Sequence, residues 1–542
     1  MDSYLPVFTF VPRRSPPRSH FQAPAVWVLA AVMLALCSAS VGPPVLAAPG
    51  KPAKQASASA LNVRLDEILR SSSAARGFWG VEVAELPSGR ILFSRDAQHL
   101  FHPASNMKLF TTAVALQKLG GDFVFRTTLE SDSEPDAQGR VQNLYLVGRG
   151  DPSFCEDAPP PPRSASEAGS QTCPGLQKLA EQLKARGVSE VSGALVADDG
   201  YFLWEPYIHG WAAEDLIWGY GSRVSALALN SNSLPLRIKP GSKPGERAQV
   251  WLELLPDYYQ LNNSLQTTTA GTHGRLWVER EPDSRRVDVW GEIPLDAGES
   301  GERLAIAPPA ALVGDMLAQE LKNAGITVQG GVQVSHVPRW ETAQADPSPS
   351  RLPPRAILAE YDSQPLRTIV KLTDKESRNF YAETLLRTLG REVKHGGRLE
   401  DSLEVLNEFA RQVGASSDET VFADGSGLSR DDLVTPDALV KLLVHMAGDP
   451  AFDAFFDALP VAGVDGTLAG RFKKTPAAER IHAKTGTLEQ VNALSGYMDL
   501  PSGRRLVFSI IGNNHPLKER QGAATVDQLT LGVYDWFARR RR

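Results

Sequence analysis

The sequence predicts an α/β (α+β) protein in which the two ends of the chain build one domain and the middle builds a second, β-rich one. Three observations carry this. Apolar residues recur at helical spacing near both ends, strand-like hairpins accompany those helices, and between about residues 126 and 345 the texture changes to short β-rich runs separated by Gly and Pro clusters. At 542 residues the chain exceeds what one hydrophobic core organises, so two or three domains are expected.

The first element is a leader. Arg13, Arg14 and Arg18 precede an apolar run over residues 25–41 and then small residues at 45–48, the order of a secretory signal (1–48) cut near Ala47 or Ala48. Its long leading region fits a later start or an uncleaved anchor as well. Cys37 follows Leu36, where a lipoprotein signal needs a small residue, and the Pro-rich stretch behind Arg13-Arg14 suits a twin-arginine signal poorly.

Within residues 58–70, Leu61, Leu65, Ile68 and Leu69 fall on one helical face. A hairpin follows, with Trp79 to Leu86 alternating, Pro87-Ser88-Gly89-Arg90 turning and Ile91-Leu92-Phe93-Ser94 returning. Pro103 then precedes a helical run from Ser105 to Leu119, which Gly120-Gly121 stops. Ser105 is thus expected at a helix N-terminus.

The inserted β-rich material is expected over residues 129–345, with helical pieces at 175–186 and 309–324 and a strand-dense subdomain nested at 231–303. The Pro/Ser-rich residues 346–354 read as the return linker. Helical patterns resume at 365–389, 398–413 and 435–446. Two strands around Pro501-Ser502-Gly503 and a last helix near 526–539 complete an end-formed domain of residues 56–128 and 355–538.

A formal charge of −6 spread along the chain gives no general basic surface, so nucleic acid is not an expected partner. The tail Arg539-Arg540-Arg541-Arg542 leaves a peripheral contact with anionic lipid or wall polymer open beside the reading of a solvated end, and a homodimer is also left open. After the leader no apolar run is long enough to span a bilayer. Cys155 and Cys173 flank a Pro-rich loop. In an oxidising compartment they read as a disulfide worth roughly 3 kcal/mol. The rival reading, two free thiols or half a metal site, lacks any accompanying CxxC or HxxxH string.

Three short strings carry the chemistry: Ser105-Asn106-Met107-Lys108, Ser377-Arg378-Asn379 and Lys484-Thr485-Gly486-Thr487. A serine hydroxyl needs a neighbour to take its proton, and three positions along a helix places the Lys108 amine beside Ser105. That amine must be neutral to act as a base, so burial or nearby positive charge, such as Lys484, has to depress its pKa. The N–H of Ser105 at a helix start, and that of Thr487 on an edge strand, are candidate oxyanion donors. Gly486 permits close approach to the strand. Ser-x-x-Lys and Ser-x-Asn are common strings and Lys-Thr-Gly a rarer one, so the weight lies in their order and settings. The ten histidines form no metal-spaced cluster, and no metal or cofactor is expected.

These residues resemble those of low-molecular-mass class C penicillin-binding proteins, the D-alanyl-D-alanine carboxypeptidase/endopeptidase family. Further strings share the resemblance: Gly148-Arg149-Gly150-Asp151-Pro152-Ser153, the run from Ala423 to Arg430 and the run from Leu459 to Leu468. So does the separation of more than two hundred residues between Lys108 and Ser377. The resemblance implies a β-lactamase/transpeptidase-like domain, an antiparallel sheet with helices on both faces, carrying the insertion. It implies cleavage of D-Ala-D-Ala stem peptides and cross-links in peptidoglycan through a Ser105 acyl-enzyme, inhibition by β-lactams, and a periplasmic location with inner-membrane association left open. Under it Ser105 and Lys108 are nucleophile and base, Ser377 a proton relay, Asn379 a substrate-amide partner, and Lys484, Thr485 and Thr487 hold the terminal carboxylate. Asp198 and Arg430 are expected to bind the zwitterionic end of diaminopimelate, with an ordinary ion pair or turn acid as the alternative. Glu489, where some members have Gln, departs from the pattern. The rival readings are a β-lactamase or esterase of the same fold, which would turn penicillin over, and a non-catalytic wall-binding scaffold.

Overall fold

The computed structural model describes residues 52–156, 173–338 and 355–539, apart from the single residues 206, 254, 256 and 282. The expected signal, the 346–354 linker and Arg540 to Arg542 lie outside them. Among the described residues no helix is long and apolar enough to cross a membrane.

The chain opens with helix α1 (Pro52–Arg70), the hairpin strands β1 (Phe78–Glu85) and β2 (Arg90–Arg95), a 3₁₀ turn over Ala104–Met107, and α2 (Lys108–Leu119). The inserted part follows as β3 (Arg126–Ser131), β4 (Arg140–Val141), β5 (Leu144–Val147), α3 (Pro174–Ala185), β6 (Glu190–Val191) and β7 (Leu195–Trp204). Its nested portion holds β8 (Ser233–Lys239), β9 (Gln249–Leu252), β10 (Gln260–Thr268), β11 (Arg275–Glu279), β12 (Arg286–Pro294) and β13 (Ser300–Ala305). The return runs through α4 (Pro309–Asn323), β14 (Thr327–Val328), β15 (Val332–Pro338) and β16 (Ala356–Asp362). The C-terminal part comprises α5 (Leu366–Lys375), α6 (Asn379–Lys394), α7 (Leu399–Gln412), β17 (Thr420–Val421), β18 (Leu433–Val434), α8 (Pro436–Met446), α9 (Phe452–Ala458), β19 (Ile481–Leu488), β20 (Val491–Asp499), β21 (Arg505–Asn513) and α10 (Glu519–Ala538).

The two ends of the chain meet in one antiparallel sheet of order β19-β20-β21-β1-β2. Successive side chains on a strand point to opposite faces, and here both faces are covered. Leu494, Met498, Leu506, Phe508 and Ile510 pack with Leu61 and Leu65 of α1 and Val526 and Val533 of α10. Ala493, Tyr497, Val507 and Ile511 pack against α2, α6 and α8. This double burial explains why β20 and β21 read as almost unbroken apolar runs rather than as alternating ones. The result is the β-lactamase/transpeptidase-like layering, helices on both faces of an antiparallel sheet.

The insert is built on a five-stranded sheet, β15-β7-β5-β3-β16, and a small sheet β14-β6-β4, both sharing a core with α3 and α4. Its first and last strands, β3 and β16, pair antiparallel, Arg126 opposite Asp362, so the chain leaves and re-enters the end-formed domain side by side. Residues 126–128 and 356–362, expected in that domain, thus belong to the inserted sheet. The nested portion forms two three-stranded sheets, β10-β12-β11 and β13-β8-β9. Cys155 and Cys173 are joined by a disulfide with their Cα atoms 4.8 Å apart.

Candidate active site

The three motifs converge where the 3₁₀ turn before α2, the break between α5 and α6, and the edge strand β19 meet. Ser105 lies one turn before α2, in the 3₁₀ segment rather than at the α-helix start, and Lys108 is the first α-helical residue. The Lys108 Nζ stands 2.9 Å from Ser105 Oγ, 2.7 Å from Asn379 Oδ1 and 2.8 Å from the Ser426 carbonyl. Lys484 Nζ donates to Ser377 Oγ at 2.8 Å and to the Thr485 carbonyl at 3.0 Å.

The helix expected to run through residues 365–389 is broken. α5 ends at Lys375, Ser377 takes a left-handed φ of 57°, and Asn379 opens α6. An uninterrupted helix would hold Ser377 and Asn379 about 200° apart around its axis. The break lets Asn379 reach Lys108 while Ser377 reaches Lys484. A second left-handed residue, Ala104 at φ 48°, immediately precedes the nucleophile. Strained residues of this kind persist only where their surroundings over-determine them. Here Gly427, itself at φ +79°, lets its backbone approach Ala104 so closely that a Cβ there would lie 1.9 Å from the Ala104 carbonyl oxygen.

β19 is an edge strand, and its outward direction can be read from its neighbours. Ala462 donates to the Ile481 carbonyl and Ala483 donates to the Pro460 carbonyl, so odd-numbered residues direct their N–H and C=O away from β20. By the two-residue repeat, Thr485 and Thr487 do the same, which aims the Thr487 N–H at the cleft. Gly486 presses on the nucleophile's turn, where a Cβ would lie 2.6 Å from the Pro103 carbonyl, and Asn106 Nδ2 donates to the Lys484 carbonyl at 3.3 Å. Thr485 Oγ1 meets Thr467 Oγ1 at 2.8 Å.

Both lysines are fully buried, and burial governs their protonation. It pulls the Lys108 amine down to about 8, against the opposing charge of Asp424, Glu383, Asp374 and Asp432. Burial, and then the charge of Lys108, takes Lys484 well below the ordinary lysine range, with Asp374 opposing. Burial pushes Asp374 up to about 7 and Glu383 up to about 8.

Several of these acids were not singled out from the sequence, yet they build the socket. Asp424 accepts backbone N–H bonds from Ser426, Gly427 and Ser429, and Glu383 accepts from Gly425 and Ser426. Together they fix the turn whose Ser426 carbonyl holds Lys108. Glu383 lies four positions after Asn379, on the same helical face, a signal available in the sequence. The strut Lys375–Asp465, 2.6 Å, ties the end of α5 to the loop bearing Thr467. No sequence pattern announced it.

The insert contributes a wall. Asn379 Nδ2 donates to the Tyr220 carbonyl at 3.0 Å, Trp211 Nε1 to Asp424 Oδ2 at 2.8 Å, and the Arg430 N–H to the Gly210 carbonyl at 3.2 Å. The Arg430 guanidinium donates to the Glu489 carbonyl at 3.1 Å, at the end of β19. Asp198 and Arg430, expected to bind the zwitterionic end of diaminopimelate, have separate partners in the structure. Asp198 lies on β7, 3.2 Å from Arg355, and accepts the Gly200 N–H. Arg355 in turn stacks over Tyr145.

Residues 61–532 match the model of the D-Ala-D-Ala carboxypeptidase 3 (S13) family. A D-alanyl-D-alanine carboxypeptidase of Actinomadura sp. (strain R39) is 35% identical over 463 residues, 83% of this chain and 80% of that protein. The D-alanyl-D-alanine carboxypeptidase DacB of Haemophilus influenzae is 25% identical over 441 residues, 80% of this chain and 85% of its own length. In fold, the crystal structure of penicillin binding protein 4 from Haemophilus influenzae superposes with a TM-score of 0.72 at 23% identity, covering 88% of this chain and 99% of that one. The chain belongs to the D-Ala-D-Ala carboxypeptidase 3 (S13) family, the low-molecular-mass class C penicillin-binding proteins.

Proposed function

We propose that the protein is exported, acts in the periplasm as a serine D-Ala-D-Ala carboxypeptidase, and also cleaves D-Ala to diaminopimelate cross-links of peptidoglycan as a DD-endopeptidase. The observation that carries this is the contact between a buried amine depressed to about 8 and the Ser105 hydroxyl. Neutral Lys108 takes the Ser105 proton as Oγ attacks the carbonyl carbon of the penultimate D-Ala. The oxyanion that forms is held by the N–H groups of Ser105 and Thr487. Collapse breaks the C–N bond, and the leaving amine receives a proton through Ser377, which Lys484 orients. Water then attacks the acyl-enzyme, and Lys108 takes its proton in turn. Lys484, Thr485 and Thr487 receive the terminal carboxylate in carboxypeptidase substrates.

β-Lactams would acylate Ser105 and persist there. A related structure from Haemophilus influenzae, a penicillin binding protein 4 complexed with a β-lactam, supports the expectation by fold alone. Intact-protein mass spectrometry after labelled penicillin tests the nucleophile: the wild type should gain one adduct and Ser105→Ala none, whereas equal labelling would refute the assignment. Rapid release of hydrolysed penicillin would indicate a β-lactamase. Purified cross-linked muropeptides test the second activity, since persistence of every dimer would remove the endopeptidase reading.

A further inference from the structure

The sheet β10-β12-β11 of the nested portion buries one face and leaves the other open. Leu265, Val278, Val287, Val289 and Ile293 point into the core. On the opposite face Trp277 and Trp290 stand directly across from each other in the antiparallel pair β11/β12. Their rings stack with centroids 4.3 Å apart and planes 8° from parallel, and Trp290 is 39% exposed. Gly291, at φ 117°, leaves the room Trp277 takes: a Cβ there would lie 2.8 Å from the ring. Residues of the same outward set surround the pair. Ser264 sits beside Trp290 on β10, and Asn262, Gln266 and Glu292 flank that row.

We propose that this face binds the glycan backbone of peptidoglycan, a β-linked chain of N-acetylhexosamines. A pyranose ring presents axial C–H groups on one face and hydroxyls at its rim. It therefore stacks on an exposed indole while planar amides and carboxylates take the rim groups. The charge of the face fits such a ligand. Asp288 accepts from Arg286 at 2.9 Å and from Asn262 at 2.6 Å, and the outward acids Glu279, Asp288 and Glu292 stand against Arg275 and Arg286. A nearly balanced surface of this kind suits a neutral sugar chain and disfavours a polyanion. Two large aromatics on an open strand face are themselves unusual for a surface without a partner. Binding here would tether the enzyme to the strand whose stem peptides it cleaves. The proposal rests on the peptidoglycan reading of the active site.

The test uses the full protein carrying Ser105→Ala and, as soluble probe, an N-acetylglucosamine hexamer, a neutral β-linked chain of the proposed chemistry. The wild-type surface should bind the hexamer, with a change in tryptophan fluorescence. Trp277→Ala/Trp290→Ala should weaken binding by about tenfold or more. Penicillin acylation of the same double variant in the Ser105 background should be unchanged, which separates this site from the catalytic one. Should the double variant misfold, Trp290→Leu, which keeps apolar bulk without an aromatic face, replaces it and should also lose binding. Absence of binding to the hexamer, or equal binding by the variants, overturns the proposal. So does tryptophan-dependent dimerisation in sedimentation, which would assign the face to a second copy of the chain.

Discussion

Replacing Gly427 by alanine should disable the site without touching a catalytic side chain. Gly427 has φ +79°, and its added Cβ would lie 1.9 Å from the Ala104 carbonyl oxygen and 2.9 Å from Met107 Cβ. Real Cβ atoms essentially never approach another atom closer than 3.0 Å, so Ala104 and residue 427 must separate by about an ångström. Ala104 is bonded to Ser105 and already sits in the left-handed region, so the displacement passes directly to the nucleophile. A misplacement of about 1 Å costs on the order of 10²-fold in rate. The left-handed backbone adds about 1–2 kcal/mol of instability and overpacking about 1–3 kcal/mol more. Gly503 provides the control, because it has the same φ of +79° with nothing within 4 Å of its Cβ. Gly503→Ala should therefore carry only the backbone cost. Stopped-flow acylation by a fluorescent penicillin, alongside urea unfolding, measures both terms. Acylation of Gly427→Ala at the wild-type rate, or equal destabilisation of the two variants, would refute the account of how Ala104 is held.

Acylation should rise with pH through a limb near 8, because Lys108 must lose its proton to act as a base and burial holds it at about 8. Asp374→Asn removes a carboxylate that favours the charged amine, so the limb should move to lower pH in the pH profile of the acylation rate. Arg387→Leu removes the buried guanidinium that faces Glu205, whose carboxylate keeps the Leu399 N–H, and should destabilise by about 1.5–3 kcal/mol in denaturant unfolding. Cys155→Ser/Cys173→Ser should lose up to roughly 3 kcal/mol of stability, read from the unfolding midpoint, while acylation with penicillin persists.

The sequence by itself marked the candidate catalytic residues and the change of texture along the chain. Ser105, Lys108, Ser377, Asn379 and Lys484 were legible because each lies in a short local string, and the β-rich texture of the insert was legible because side-chain alternation is also local. What only the tertiary structure decided depends on contacts between distant segments. The break at Ser377 is invisible in a run whose apolar spacing continues helically on both sides, since it is held by Lys484 and by the Lys375–Asp465 strut. Likewise β3 and β16 joined the inserted sheet because they pair with each other across more than two hundred residues. The ion pair of Asp198 with Arg355, 157 residues away, has no local signature either. The depressed pKa of Lys108 was required by the mechanism, but its cause is a buried socket assembled from α2, α6 and the turn at residues 424–429. Desolvation has no local signature in a sequence, because it belongs to the packing of the whole domain.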